Sequence, residues 1–410
     1  MDSSDFASKK ALLIEDMAEA RIMQKKMLSD FGFRHIEIAM KAETAMELLK
    51  TQSFDVILSD YNLGNGKDGQ QLLEEVRHSN LIPNTATYLM VTAETSIEMV
   101  MGAIEFQPDG YITKPFSQAV LQRRLSKLLE MKNRLYKVNR ALDQKDYDKA
   151  MEEAKQVMEQ HPSLEGKCQR VIGDCLIEKE QYEQALALFS NILKDRKMPW
   201  ALFGEAKACF YMGMLDKSEN KFRQLMLDNR FFVSAYDWLA KIKTAQKKYH
   251  EAQSILIEAL QRSPKNLLRQ IHLGELSFTI GDYLTAESAF RRAVFLARHS
   301  CYNTSDVYLR HIESIIKLAE STPLQSRQKE QFNITLKKIH RYFFEESDTR
   351  AKTYSYQLEL ALLEKDLITA KGFLKLWQQE AESGEATAPT DQQLTHYHAA
   401  FGEKNEENGH

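Results

Sequence analysis

Cysteine is scarce in this 410-residue chain, limited to Cys168, Cys175, Cys209 and Cys301. None forms a C-x-x-C pair, which argues against a zinc site or a redox motif, and four in so long a chain cannot be a disulfide framework. They read as free thiols half-buried on helices. No run of 18 apolar residues occurs, so no membrane-spanning helix is expected. The opening MDSSDFASKK is short and polar, unlike a secretory leader. The formal charge is −3, and neither the first 130 residues nor the remainder has the marked basic excess of a dedicated nucleic-acid binder. Together these absences point to a cytoplasmic protein that engages neither DNA nor membrane. Glycine and proline are both missing between Pro115 and Pro162, so no flexible linker is expected there.

The length suggests two or three domains, and two rhythms divide the chain. The first 130 residues alternate short apolar runs with amphipathic stretches. Strands are expected at 11–15, 35–39, 54–59, 87–92 and 110–112. Helices are expected at 18–31, 42–50, 69–78 and 96–106, with another opening at Ser117. Five such units imply an α/β, doubly wound, five-stranded parallel sheet of flavodoxin-like type over residues 9–130. Ligands of such sheets bind beyond the carboxyl ends of the strands.

From about residue 132 helical periodicity takes over. A phrase recurs as KDYDKA, EQYEQA, GMLDKS, KKYHEA and GDYLTA, with anchors Tyr147, Tyr182, Leu215, Tyr249 and Tyr283 at spacings of 35, 33, 34 and 34. Twelve residues before the end of each phrase stand Val138, Gly173, Ala206, Ala240 and Gly274, mostly small. Four residues after it stand Ala154, Phe189, Phe222, Leu256 and Phe290. A period of 34 with this content resembles the tetratricopeptide repeat, which implies an all-α helical solenoid of about five repeats over 131–300. Val138 at a small-residue position and the missing proline of the third repeat depart from that pattern. Residues 301–380 are expected to be irregular helices capping the solenoid, although KDLITA at 365–370 echoes the phrase out of period. Residues 381–410 read as a flexible acidic tail.

Asp60 ends the apolar run FDVILS, and Glu15 and Asp16 end the first strand. Alone, an aspartate at a strand end reads as a turn former or helix cap. In a parallel sheet with these strands adjacent, however, three carboxylates converge. Such a cluster repels itself unless a cation is supplied, and an oxygen-only set suits Mg²⁺. Thr92 and Lys114 end or follow later strands, adding a hydroxyl and a positive charge. This combination suits phosphoryl transfer.

Residues 9–130 resemble the receiver domain of two-component response regulators. The acidic pair matches Glu15 and Asp16, the phosphoaccepting aspartate Asp60, the hydroxyl Thr92, the lysine Lys114 within TKPF, and the aromatic switch Tyr111. The resemblance implies that Asp60 takes a phosphoryl group from a phosphohistidine on a sensor histidine kinase or phosphotransfer protein. It implies Mg²⁺ on Glu15, Asp16, Asp60 and the backbone carbonyl of Asn62, and phosphoryl oxygens bound by Thr92 and Lys114. A cis Lys114–Pro115 bond is also implied, and Asn62 and Glu94 would tune the phosphate's lifetime. The only reaction implied is phosphorylation and dephosphorylation of the domain's own Asp60, not turnover of another substrate. The loop NLGNGKDG departs from the family in lacking Met-Pro and in being one residue longer.

No second βαβ domain, Gly-rich phosphate loop or H-x-x-x-H pattern follows residue 130, so the output reads as protein contact: the repeats would bind an unidentified protein or peptide in their groove. The leading expectation is a response regulator whose phosphorylation state controls that contact through a stiff junction. Two alternatives stay open. One is a phosphate sink that drains a shared kinase, with the repeats only docking it. The other is a phosphatase acting on an external ester, disfavoured because Tyr61-Asn62 follows Asp60 where Asp-x-Asp is usual.

Overall fold

In the computed structural model, residues 4–64, 66–93, 108–229 and 231–402 are described. Two compact units are present. One runs up to Lys265 and includes His299–Cys301; the other holds Asn266–Arg298 and the chain from Tyr302 onward.

The first unit begins with a parallel sheet of five strands, β1 (Lys10–Ile14), β2 (His35–Ala39), β3 (Val56–Asp60), β4 (Thr87–Thr92) and β5 (Gly110–Thr113), in the order β2-β1-β3-β4-β5. Every residue of β3 and β4 is buried, as expected of strands covered on both faces. Alternation sends Leu12, Ile14, Ile57, Tyr88 and Met90 into one layer and Leu13, Leu58, Leu89 and Val91 into the other. Helices α2 (Ala42–Thr51) and α3 (Gly69–His78) cover the first layer. Helices α1 (Ala18–Phe31) and α4 (Gln118–Arg134) cover the second. Ser117 caps α4 by accepting from the Val120 N–H. The helix expected at 96–106 lies outside the described residues. The chain leaves β1 toward β2 and returns to its other side for β3, so the switch point falls between β1 and β3. Ile14 pairs with Ser59 there, and Glu15 and Asp60 emerge side by side.

The first helix of the array follows almost without interruption. Leu135 alone separates α4 from α5 (Tyr136–Asp143), and its neighbours keep the helical bonds Leu135 N–H to Met131 O and Asn139 N–H to Leu135 O. Further hairpins follow: α5 with α6 (Tyr147–Gln160), α7 (Glu165–Glu178) with α8 (Tyr182–Asp195), α9 (Pro199–Tyr211) with α10 (Leu215–Asp228), and α11 (Val233–Ala245) with α12 (Tyr249–Arg262). Each recurring phrase opens the second helix of a pair, and the residue two before its anchor turns left-handed, as Lys145, Glu180, Gly213 and Lys247 do. Where the small position is glycine, the partner helix's aromatic ring lies against it. A Cβ on Gly173 would meet the Phe189 ring at 2.3 Å.

The second unit repeats this plan in α13 (Leu267–Thr279) and α14 (Tyr283–Ala297), where Gly274 faces the Phe290 ring. Two points correct the sequence expectation. The segment 301–380 is regular: α15 (Ser305–Ser321) and α16 (Ser326–Tyr342) are followed by α17 (Ser347–Leu363) and α18 (Leu367–Glu382). The α17–α18 turn is that of the repeats, with Lys365 at φ 60° and Asp366 capping α18. The period fails because α15, α16 and α17 each have 17 residues, and because a longer link joins α14 to α15. The tail expectation is also corrected up to residue 402. Helix α19 (Asp391–Ala400) is capped by Thr390, and it buries Tyr397 beside Trp377, whose indole N–H donates to Thr387 O at 2.8 Å. Apolar docking outweighs the acidic composition. Of the four thiols, Cys168, Cys175 and Cys209 are fully buried and Cys301 half-buried, all unpaired.

Candidate functional site

At the switch point, one oxygen from each of Glu15, Asp16 and Asp60 lies within 4.8 Å of the others. Glu15 is fully buried, Asp60 nearly so and Asp16 half-buried. The sheet delivers these groups, since β1 and β3 end here in register. Lys114 follows β5, where its backbone N–H donates to Thr92 O at 2.6 Å. Its side chain crosses to the cluster, placing Nζ 2.7 Å from Asp60 Oδ2 and 2.8 Å from Glu15 Oε2. The Lys114–Pro115 bond is cis.

Burial pushes the Asp60 carboxyl up to about 6. The Lys114 hydrogen bond pulls it down and the Glu15 charge pushes it up again. Burial opposes the Lys114 charge, but its bonds to Asp60 and Glu15 outweigh that and raise its pKa. Glu15 Oε1 is buried without a partner. An all-oxygen donor set with one orphaned buried carboxylate oxygen fits a hard divalent ion.

Structure adds residues that the sequence did not single out. Gln24 on α1 donates to Glu15 Oε2 at 2.7 Å, and Arg21 Nη1 donates to the carbonyls of Glu15 and Asp16 at 3.0 and 2.9 Å. Both orient the acidic pair, and neither belongs to a pattern readable from spacing. Gly69 closes the loop after β3, its N–H donating to Tyr61 O at 2.7 Å. A Cβ there would sit 2.0 Å from Asp60 O, so no larger residue fits. Gly64, at φ 69°, lies beside the Asp16 carboxylate. Thr92 is fully buried at the end of β4. Tyr111 in β5 packs against the first core layer, and Arg124 donates to its carbonyl at 3.1 Å. Asn62 follows Tyr61 in the loop, exposed. Glu94 lies outside the described residues.

The strand order, the carboxylates at its switch point and the bridging lysine define a receiver domain, here joined to helical repeats. The response regulator receiver domain family matches residues 11–126, and the tetratricopeptide repeat family matches 141–199 and 233–266. The chain is 34% identical over 121 residues to chemotaxis protein CheY-3 of Vibrio cholerae, covering 30% of this chain and 92% of that protein. It is 32% identical over 124 residues to chemotaxis protein CheY of Pseudomonas aeruginosa, covering 30% and 98%. Among solved structures, it is similar to the C-terminal part of a TPR repeat-containing protein from Cytophaga hutchinsonii, at 11% identity and TM-score 0.48, covering 64% of this chain and 98% of that one. The chain belongs to the response regulators, with a CheY-type receiver domain at its N-terminal end and tetratricopeptide repeats following. No DNA-binding domain is seen among the described residues, and no helix among them is long and apolar enough to cross a membrane.

Proposed function

We propose that Asp60 is the phosphoacceptor and that its phosphorylation controls protein contacts made by the repeats. One observation carries this reading: the Lys114 ammonium spans Asp60 and Glu15 within a cluster of three carboxylates at the sheet's switch point. A carboxylate oxygen of Asp60 attacks the phosphorus of a phosphohistidine on a kinase or phosphotransfer protein. An O–P bond forms, the N–P bond breaks, and the electron pair stays on the leaving imidazole. Asp60 must be ionised to attack, and Lys114 favours that form. Lys114 and the buried Thr92 hydroxyl bind the arriving phosphoryl oxygens. Glu15, Asp16, Asp60 and the Asn62 carbonyl would hold Mg²⁺, which when bound supplies charge neutralisation at the phosphoryl group. Asn62 and Glu94 tune how fast water reaches the acyl phosphate and so set its lifetime, and Tyr111 turns inward as Thr92 shifts.

Two contacts support transmission to the repeats. Asp143 in α5 accepts from the Asn84 backbone N–H and Nδ2, both at 2.8 Å. Lys132 in α4 donates to Asn84 O and pairs with Asp109, both at 2.7 Å. With the near-continuous α4–α5 junction, these ties make a stiff connection.

The test is recovery of partners by the full chain and by Asp60→Asn, each with and without beryllofluoride. Partners that change with beryllofluoride only in the wild type support phosphorylation-controlled contact. Identical partners in all four samples refute it and favour a phosphate sink.

A further inference from the structure

The loop after Asp60 is also held by the repeats. Lys265, in the turn after α12, lies 3.4 Å from Asp68 Oδ2, and its ammonium sits 5.3 Å from the centre of the Tyr61 ring. These two receiver residues bracket the loop. Tyr61 adjoins Asp60, is almost fully buried, and donates its hydroxyl to Gln70 at 2.9 Å. Asp68 caps α3, accepting from the Gln71 N–H while the Gln71 side chain accepts from the Asp68 N–H. The Gly69–Tyr61 backbone bond pins the two ends together under Asp60. A cation that touches both ends therefore restrains the residues beside them, Asn62 next to Tyr61 among them. Beside this contact, Glu74 on α3 is buried and hydrogen bonded to Ser300. The repeats thus reach α3 at two points, the first from 197 residues away along the chain.

We propose that Lys265 is a positioning residue for phosphorylation at Asp60, supplied to the receiver by the repeat array. It holds Tyr61 and Asp68 in place, so that Asn62, next to Tyr61, presents its carbonyl beside the carboxylate cluster. The proposal rests on the reading of Asp60 as the phosphoacceptor. It makes the coupling reciprocal: whatever shifts the array away from this loop weakens the site, and whatever reshapes the loop on phosphorylation loosens Lys265.

The pair is partly exposed, at 32% for Lys265 and 23% for Asp68, so its effect is modest. An ion pair of that kind together with a cation on an aromatic face corresponds to about a three- to ten-fold change. The experiment compares full-length wild type, Lys265→Ala and Lys265→Arg. Hydrogen exchange over 61–71 is measured without metal. Phosphorylation by acetyl phosphate is then titrated against Mg²⁺ and read by intact mass. Lys265→Ala should exchange about three- to ten-fold faster over 61–71 with α1 unchanged, and should need about three- to ten-fold more Mg²⁺ for half-maximal phosphorylation. Lys265→Arg, which keeps both contacts, should match the wild type. Equal exchange in wild type and Lys265→Ala overturns the proposal. Faster exchange with an unmoved Mg²⁺ midpoint also overturns it, leaving only a structural contact. If the wild type takes no phosphate at all, the reading of Asp60 fails instead, while the exchange comparison still decides whether Lys265 holds the loop.

Discussion

Replacing Asp60 with asparagine should stabilise the receiver in the absence of metal. A carboxyl that titrates near 6 instead of 3.8 resists ionisation in the fold, which corresponds to about 3 kcal/mol at neutral pH. Asparagine has no charge to desolvate, and its amide oxygen can still accept from Lys114. The ammonium keeps its 2.8 Å bond to Glu15, but the charge-assisted bond to Asp60 is lost. Setting about 1–2 kcal/mol for that loss against the gain leaves a net stabilisation of about 1–2 kcal/mol. The sign with pH follows from the raised value. The unfolded chain gives up this proton near 3.8 and the folded one near 6, so the penalty is absent below about 3.8 and complete above about 6. Hydrogen exchange of β3 amides in the full chain reads the opening of this domain. At pH 7.5 without Mg²⁺, Asp60→Asn should slow it by roughly five- to thirty-fold. Added Mg²⁺ should close the gap, because an ion that binds the folded wild type more tightly stabilises it more. Faster exchange in the metal-free variant, or a gap that Mg²⁺ widens, would refute the electrostatic account of the cluster.

Two further outcomes follow from the packing. Burial pushes the Glu74 carboxyl up to about 7, so its ionisation costs stability as pH rises from about 4.5 to 7. Glu74→Gln should therefore be more stable than wild type at pH 8 by up to about 3 kcal/mol and equal to it at pH 4, read by hydrogen exchange of α3. Gly173→Ala should destabilise the α7–α8 hairpin by about 1–3 kcal/mol, because the new methyl collides with the Phe189 ring. Urea titration followed by exchange in α8 checks this, and an unchanged midpoint would show that the ring moves aside freely.

Much of the fold was legible because its signals are local. Short apolar runs such as VILS, buried on both sides, allow little but a parallel strand, and the charged residues that end them can only meet at the sheet's edge. The repeat phrase is legible because one backbone need recurs, a left-handed residue two before the anchor that opens the second helix, and because Gly173 and Gly274 must make room for Phe189 and Phe290. The same logic placed Glu15, Asp16, Asp60 and Lys114 together. What stayed hidden depends on distant or purely steric partners. Gln24 and Arg21 look like ordinary polar residues of α1. The need for glycine at position 69 is visible only once Asp60 O lies against it. The reach of Lys265 to Asp68 spans 197 residues. The out-of-period phrase KDLITA misled because α15, α16 and α17 lengthen the spacing without changing the turn, and the C-terminal composition concealed the docking of Tyr397 on Trp377.

The central claim is that Asp60 alone accepts the phosphoryl group. Intact-mass measurement of the full chain after incubation with acetyl phosphate and Mg²⁺ tests it most directly. The account predicts a single added phosphoryl group, lost in Asp60→Asn and sharply reduced in Lys114→Ala. A phosphoryl group that persists in Asp60→Asn, or a wild type that takes none, would contradict it.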